Sequence, residues 1–269
     1  MDFFTTIEIS GFPLWVVLLI CCGVFLASFM DSIAGGGGII SVPTYLMAFS
    51  GLPTYYALAT NKLSSFVGLI VSSGRFIKNG YVNWRLAVPS MAIAVLCARF
   101  GTKLQHLTPD GILKYLLLAV LPVVAFLTLK TKKWPDEPEA IHPVKQAVIV
   151  YLASAVVGAY DGYYGPGAGT FLMLIFIRLA KLDTRTAAGG VKLVNMASNF
   201  GAILTAFSAG YIFWVIGLIS GVASILGGWL GSGLAIKNGS KIVRPTVILV
   251  LILLTVKVLS ELFFPEFWS

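Results

Sequence analysis

The sequence predicts an all-α membrane protein: a polytopic helix bundle of two pseudo-symmetric, inverted repeats, interrupted by glycine-rich broken helices, with eight to ten membrane segments. Three observations predict it. The chain is 58% hydrophobic and 11% charged, against roughly 25% charged residues in a soluble domain. Its apolar runs are continuous and near the ~20 residues a bilayer-spanning helix needs, unlike the alternating strands of a barrel. And "DSIAGGGG" at 31–38 has a counterpart in "DGYYGPGAG" at 161–169.

The N-terminus carries Asp2 and Glu8 and no Lys or Arg before Lys62. It lacks the basic flank of a cleaved signal peptide, so the first apolar run is expected to stay as a helix. Long apolar segments follow at about 13–30, 54–78, 82–103, 111–130, 144–160, 184–209, 211–236 and 241–262. Two shorter ones, about 39–50 and 169–180, come after the glycine clusters and barely reach across a bilayer. The polar stretch "KTKKWPDEPEAIHP" at 130–143 cannot span lipid and reads as a solvated linker. The chain is therefore one transmembrane domain over 1–269, with repeat one at 13–130, linker at 131–143 and repeat two at 144–262.

An offset of 130 residues aligns the halves. Asp31 meets Asp161, Gly35 meets Gly165, Gly37 meets Gly167, and Lys62-Leu63 meets Lys192-Leu193. Gly80-Tyr81 and Trp84 meet Gly210-Tyr211 and Trp214, and Gly101 meets Gly231. Equivalent loops carry opposite charge. The connection near 50–54 has no basic residue, while its counterpart is flanked by Arg178, Lys181 and Arg185. The turn near 79–81 is flanked by Arg75, Lys78 and Arg85, while its counterpart near 209–211 has none. Because basic loops stay inside, this pattern predicts inversion, with both termini outside and the linker inside. Inversion needs an odd number of crossings per half, so the short segments are expected to count as crossings. Arg99, Lys103 and Lys114 fall on the predicted outer side and do not fit.

The net charge of +8 is explained by loop orientation, so no nucleic-acid partner is expected. Cys21, Cys22 and Cys97 lie in apolar runs without metal-ligand spacing and read as packing residues, with no metal and no cofactor. His106 and His142 are read as loop residues. No zinc-protease histidine pair and no nucleophile elbow is present, so the chain is not expected to be an enzyme. The pairs Gly217/Gly221 and Gly227/Gly231 are expected to pack helices within the protein.

Gly35, Gly36, Gly37 and Gly38, and in the second half Gly165, Gly167 and Gly169, should break the helix, reinforced by Pro43 and Pro166. Irregular backbone at membrane depth survives only inside protein or beside a wet cavity. The new helix N-termini would suit an anion. The plainer alternative is close helix crossing. Lys62 and Lys192 sit in otherwise membrane-like segments, where a central charge costs ~2.5–3.5 kcal/mol. Either each pairs with Asp31 or Asp161 as a buried ion pair, or the lysines face an anionic substrate while the aspartates couple to protons or cap helices. Lys192, Asn195 and Asn199 share one helical face. Lys62, Ser65 and Ser72, with Asn61 beside them, form a weaker stripe. Such donors suit oxyanions, though interhelical hydrogen bonding is the simpler use.

Four stretches carry a family resemblance: "DSIAGGGG", "ALATNKL" at 57–63, "GAYDGYYGPGAG" at 158–169 and "KLVNMASN" at 192–199. Over about 20–262 the chain resembles the sulfite exporter TauE/SafE family. "TAAGGVKL" at 186–193 departs from the family's Ala-rich approach to the second lysine. The resemblance implies a multi-pass inner-membrane transporter of sulfur anions: sulfite, thiosulfate, sulfonates or relatives. The expected function is a secondary transporter of small anions working by alternating access, with Lys62, Lys192, Asn61, Asn195, Asn199 and Ser65 as substrate contacts. Asp31, Asp161 and the glycines after them would shape the broken helices. The partners implied are the lipid bilayer, a small anion and a coupling proton or sodium ion; monomer and homodimer both stay open. A passive anion channel and a non-transporting scaffold are the competing readings.

Overall fold

A computed structural model describes residues 8–108 and 134–263. Nine helices dominate the described residues. A two-strand hairpin, β1 (Glu8–Ile9) and β2 (Phe12–Pro13), precedes them. Its turn residues Ser10 and Gly11 both have positive φ, the mirror-image turn that matches strand twist. Two residues per strand are too few for a sequence pattern to announce.

The first half contains α1 (Leu14–Ala34), α2 (Gly38–Ala48), α3 (Thr54–Lys78) and α4 (Trp84–Leu107). The second contains α5 (Pro143–Tyr163), α6 (Ala168–Arg178), α7 (Thr184–Ala209), α8 (Trp214–Asn238) and α9 (Ser240–Phe263). The segment expected at 111–130 lies outside the described residues. Among the described residues α1, α4, α5 and α8 are long and apolar enough to cross a membrane. The outward faces carry exposed large apolar side chains, such as Leu96, Phe100, Val156, Val222 and Trp229. A soluble monomer rarely exposes such a surface; lipid covers it at no cost. The protein is a helical membrane protein.

The local signals are physical. Asp183 caps α7, accepting from the N–H groups of Arg185 (3.1 Å) and Thr186 (2.9 Å), and Gly210 ends that helix in the left-handed region. The breaks are shorter than expected. α1 continues past residue 30 and contains Asp31, and α5 contains Asp161. Gly38 already opens α2, and Pro43 lies inside that helix, so neither forms part of the first break. Pro166 does lie in the second.

Contacts between loops define two ends of the bundle. At the aromatic end, Phe12 stacks on Phe49 at 4.7 Å and meets Phe213 at 5.5 Å, and Tyr55 meets Tyr211 at 4.3 Å. At the basic end, Arg185 lies over the Tyr81 ring and donates to the Ile236 carbonyl at 2.9 Å, and Lys181 pairs with Glu139 at 2.7 Å. The linker from 134 to 142 docks there. Thr184 donates to the Pro135 carbonyl through both its N–H (2.9 Å) and its hydroxyl (2.7 Å), and Asp136 accepts from the Ser240 hydroxyl at 3.1 Å. These bonds hold this part of the linker against the bundle, while residues 136–140 are exposed.

The short helices double back. α1 starts at the aromatic end, and α2 returns there to Phe49, with Thr44 packed on Gly23 of α1. α5 starts at the basic end and α6 returns there, where Gln146 donates to the Ala180 carbonyl at 2.7 Å. Eleven residues rise only about 16 Å, so α2 and α6 are re-entrant arms. They are not the crossings that the parity argument assumed. Elsewhere the halves interleave. α8 packs on α1 where Gly227 and Gly231 admit the carbonyls of Phe25 and Phe29, and α4 packs on α5 where Gly162 admits the Ala98 carbonyl. Gly217 and Gly221 admit Leu63 and Val67 of α3, as their spacing predicts.

Candidate functional site at the meeting of two re-entrant tips

The two breaks touch. Gly35 and Gly36 adopt positive φ, as do Gly165 and Gly167, a conformation open to glycine at no steric cost. The Gly35 backbone lies directly on that of Gly169: a methyl on Gly35 would collide with the Gly169 carbonyl carbon. Thr170 donates to the Gly35 carbonyl at 3.1 Å, and Tyr160 to the Pro166 carbonyl at 2.6 Å. These bonds satisfy part of the backbone that the breaks release.

Beside this contact lies a cavity of about 50 Å³, room for a few waters or a small ion. Its wall includes Asp31, Gly36, Gly37, Gly38, Asn61, Lys62, Ser65, Asp161, Gly165, Gly169, Asn195 and Asn199. The start of α2 and that of α6 both contribute, so two partially positive helix ends face it.

Both lysines are paired, each with the aspartate of the other half. Lys62 Nζ meets Asp161 Oδ1 at 2.6 Å, and Ser198 donates to the second carboxylate oxygen. Lys192 Nζ meets Asp31 Oδ2 at 3.2 Å and also donates to the Asp31 main-chain carbonyl. The Gly37 N–H donates to Asp31 Oδ1 at 3.2 Å, so Asp31 caps α2 from within its own arm. The charges balance: two ammonium groups face two carboxylates. Three buried polar atoms of the wall, Asn61 Oδ1, Asn195 Oδ1 and Ser224 Oγ, have no hydrogen-bond partner. An asparagine amide turned over offers its N–H₂ to the same space.

Most residues singled out in the sequence converge here. Lys192, Gly35 and Gly167 do not line the cavity. Lys192 is enclosed at 0% exposure behind Asp31, and Gly35 forms the contact between the tips. Ser72 is buried away from the wall. Sequence reasoning missed Ser28, Ser41, Tyr164 and Ser224 in the wall and Ser198 behind it. Single small hydroxyls in apolar helices give no signal beyond packing. It also placed His106 in a loop, whereas this residue closes the last turn of α4. A second cavity, about 10 Å³, abuts the first toward the aromatic end and shares Lys62 and Tyr164 with it.

Comparison with known proteins points to membrane transporters. The family profile described as "Sulfite exporter TauE/SafE" matches residues 19–258. A Sinorhizobium protein named "Probable membrane transporter protein ORF9" is 34% identical over 239 residues, 88% of this chain and 90% of its own. A probable membrane transporter protein of Haemophilus influenzae is 32% identical over 91% of this chain and 95% of its own. The probable membrane transporter protein YfcA of Escherichia coli K12 is 32% identical over 88% and 87%. No solved structure matches. With a profile covering most of its length and relatives aligned nearly end to end, the chain belongs to the sulfite exporter TauE/SafE family of membrane transporters.

Proposed function

We propose that this protein is a secondary transporter that carries sulfite, sulfonates or related organosulfur anions across the bacterial inner membrane by alternating access between two inverted repeats. One observation carries the reading: a cavity where two re-entrant tips meet, lined by charged and amide side chains and flanked by two lysine–aspartate pairs that each bridge the halves. Equivalent helices begin at opposite ends of the bundle, α1 at the aromatic end and α5 at the basic end, which supports inversion. The basic end would face the cytoplasm. Lys62, Asn61, Ser65, Asn195 and Asn199 contact the anion from the wall, and Lys192 supports it through Asp31. Rocking of one half against the other exchanges the surroundings of Lys62 and Lys192. A proton or sodium gradient, or the substrate's own, drives the cycle.

The test uses the full chain reconstituted in proteoliposomes, with thiosulfate and sulfite as probes. Saturable uptake is expected, lost in Lys62→Ala and reduced by roughly 100-fold or more in Lys192→Ala, whose loss also misplaces the Asp31 arm. Both variants are checked for membrane insertion. Normal uptake by both would remove the lysines from the site. Non-saturating conductance would replace the carrier with a channel.

A further inference from the structure

The cavity between the tips is electrically balanced, and that is a problem for an anion carrier. Lys62 and Lys192 are already answered by Asp161 and Asp31. An arriving anion would leave uncompensated negative charge in a low-dielectric site, which is costly. Positive charge must arrive with it. Protonating one carboxylate does this, because it frees the paired ammonium for the substrate.

The second cavity supplies a route. Its wall holds His106, Gln105 and Thr102 of α4, Tyr55 and Lys62 of α3, and Tyr164. Both ring nitrogens of His106 are buried without a hydrogen-bond partner, which is costly unless something visits them. At about 10 Å³ the space accepts one water and excludes an oxyanion. The groups around His106 are Tyr55 of α3 and Tyr211 after α7, with Tyr56 packed on both of these rings, then Tyr163 at the end of α5 and Tyr164 just past it, with Lys62 further in. Its own helix adds the exposed Lys103 and Arg99, and α7 presents only Ala202 and Ala206. Among these described neighbours no carboxylate stands between His106 and Asp161. At the corresponding place among the described residues an offset of 130 puts Ile236 where His106 stands, and Phe76, Ala188 and Lys192 there are fully enclosed.

Resting on the transport reading above, we infer that this water-sized cavity is a proton path, in which His106 takes a proton from the aromatic end and passes it through water to Asp161. A ring nitrogen lone pair accepts the proton, and the imidazolium then gives one N–H proton to the water. That water gives one of its own protons to a water in the first cavity, which Asp161 lines; the second water gives one of its own protons to the Asp161 carboxylate, and the imidazole returns to neutral. Lys62, released from its partner, meets the anion. Proton and anion travel in the same direction.

The experiment loads proteoliposomes of the full chain with a pH-sensitive dye and adds thiosulfate, which stays ionised over the pH range used. Wild-type uptake should acidify the interior. His106→Gln should keep its thermal stability and its thiosulfate-induced thermal shift, yet lose acidification on the order of 100-fold, the scale on which positioned proton-transfer groups act. Asp161→Asn should bind thiosulfate with no dependence on pH. Unchanged acidification in His106→Gln, or wild-type thiosulfate uptake with no acidification, would overturn the proton path and leave the transporter standing. No uptake of thiosulfate or sulfite by the wild type would overturn both.

Discussion

Lys62 and Lys192 stand at matching places in the two halves and live in different surroundings. Lys62 borders two cavities and its partner Asp161 is held by a second donor, Ser198. Lys192 is enclosed and lines neither of these cavities, and its partner Asp31 is held by a main-chain N–H. The difference extends outward. On the Lys62 side a small opening leads toward the aromatic end; on the Lys192 side Phe76 and Ala188 close the bundle. Two lysines at matching sequence positions thus occupy two environments in one conformation, as the proposed alternating-access cycle would need.

Stranding each lysine probes this contrast most strongly. Asp31→Ala leaves Lys192 enclosed with no anion, at a cost of about 3–5 kcal/mol. Asp161→Ala leaves Lys62 beside two cavities where water can reach it, so its loss should be smaller. Adding Lys192→Met to Asp31→Ala should recover most of the stability. Thermal unfolding in detergent reads all three, and an equal loss for both aspartates would erase the distinction between sealed and open sides. The tips come next. Gly35→Ala drives a methyl into the Gly169 backbone and should cost roughly 3 kcal/mol or more, combining backbone strain with overpacking. Gly80 has the same φ of 77° but nothing near its missing methyl, so Gly80→Ala should cost only about 1–2 kcal/mol. Matching losses would mean that the tips can part freely. A loss smaller than those at Asp31 and Gly35 concerns Ser198. Ser198→Ala removes one donor to Asp161, worth roughly 1.5–3 kcal/mol. The equivalent residue is Gly68, so the Asp31 side has no such side chain to lose. Unfolding of this variant unchanged from wild type would show Asp161 sufficiently held by Lys62 alone.

Much of this arrangement was legible in residues. The bounds of α3 and α7 fall at 54–78 and 184–209 as apolar runs indicated, because turn glycines and Pro53 or Asp183 punctuate them. The burial of Lys62 and Lys192 followed from charges inside such runs. The direction of α2 and α6 was not legible. Hydropathy records how apolar a segment is and nothing about which way it points after a glycine break. The cross-pairing of Lys62 with Asp161 was equally hidden, since it depends on how the halves dock, and spacing within a half is silent on that. His106 was misplaced because the apolar run ends near 103, while the helix continues through a polar last turn held by the Tyr55 and Tyr211 rings.

The glycine contact between the tips has a mechanical meaning. Side chains usually separate moving parts and act as springs, absorbing small shifts by changing rotamer. Here backbone bears on backbone with nothing between. In the proposed cycle a push on one arm would reach the other undamped, so the pair would act as a single rocker with one pivot, and play at that bearing would uncouple the two faces of the membrane.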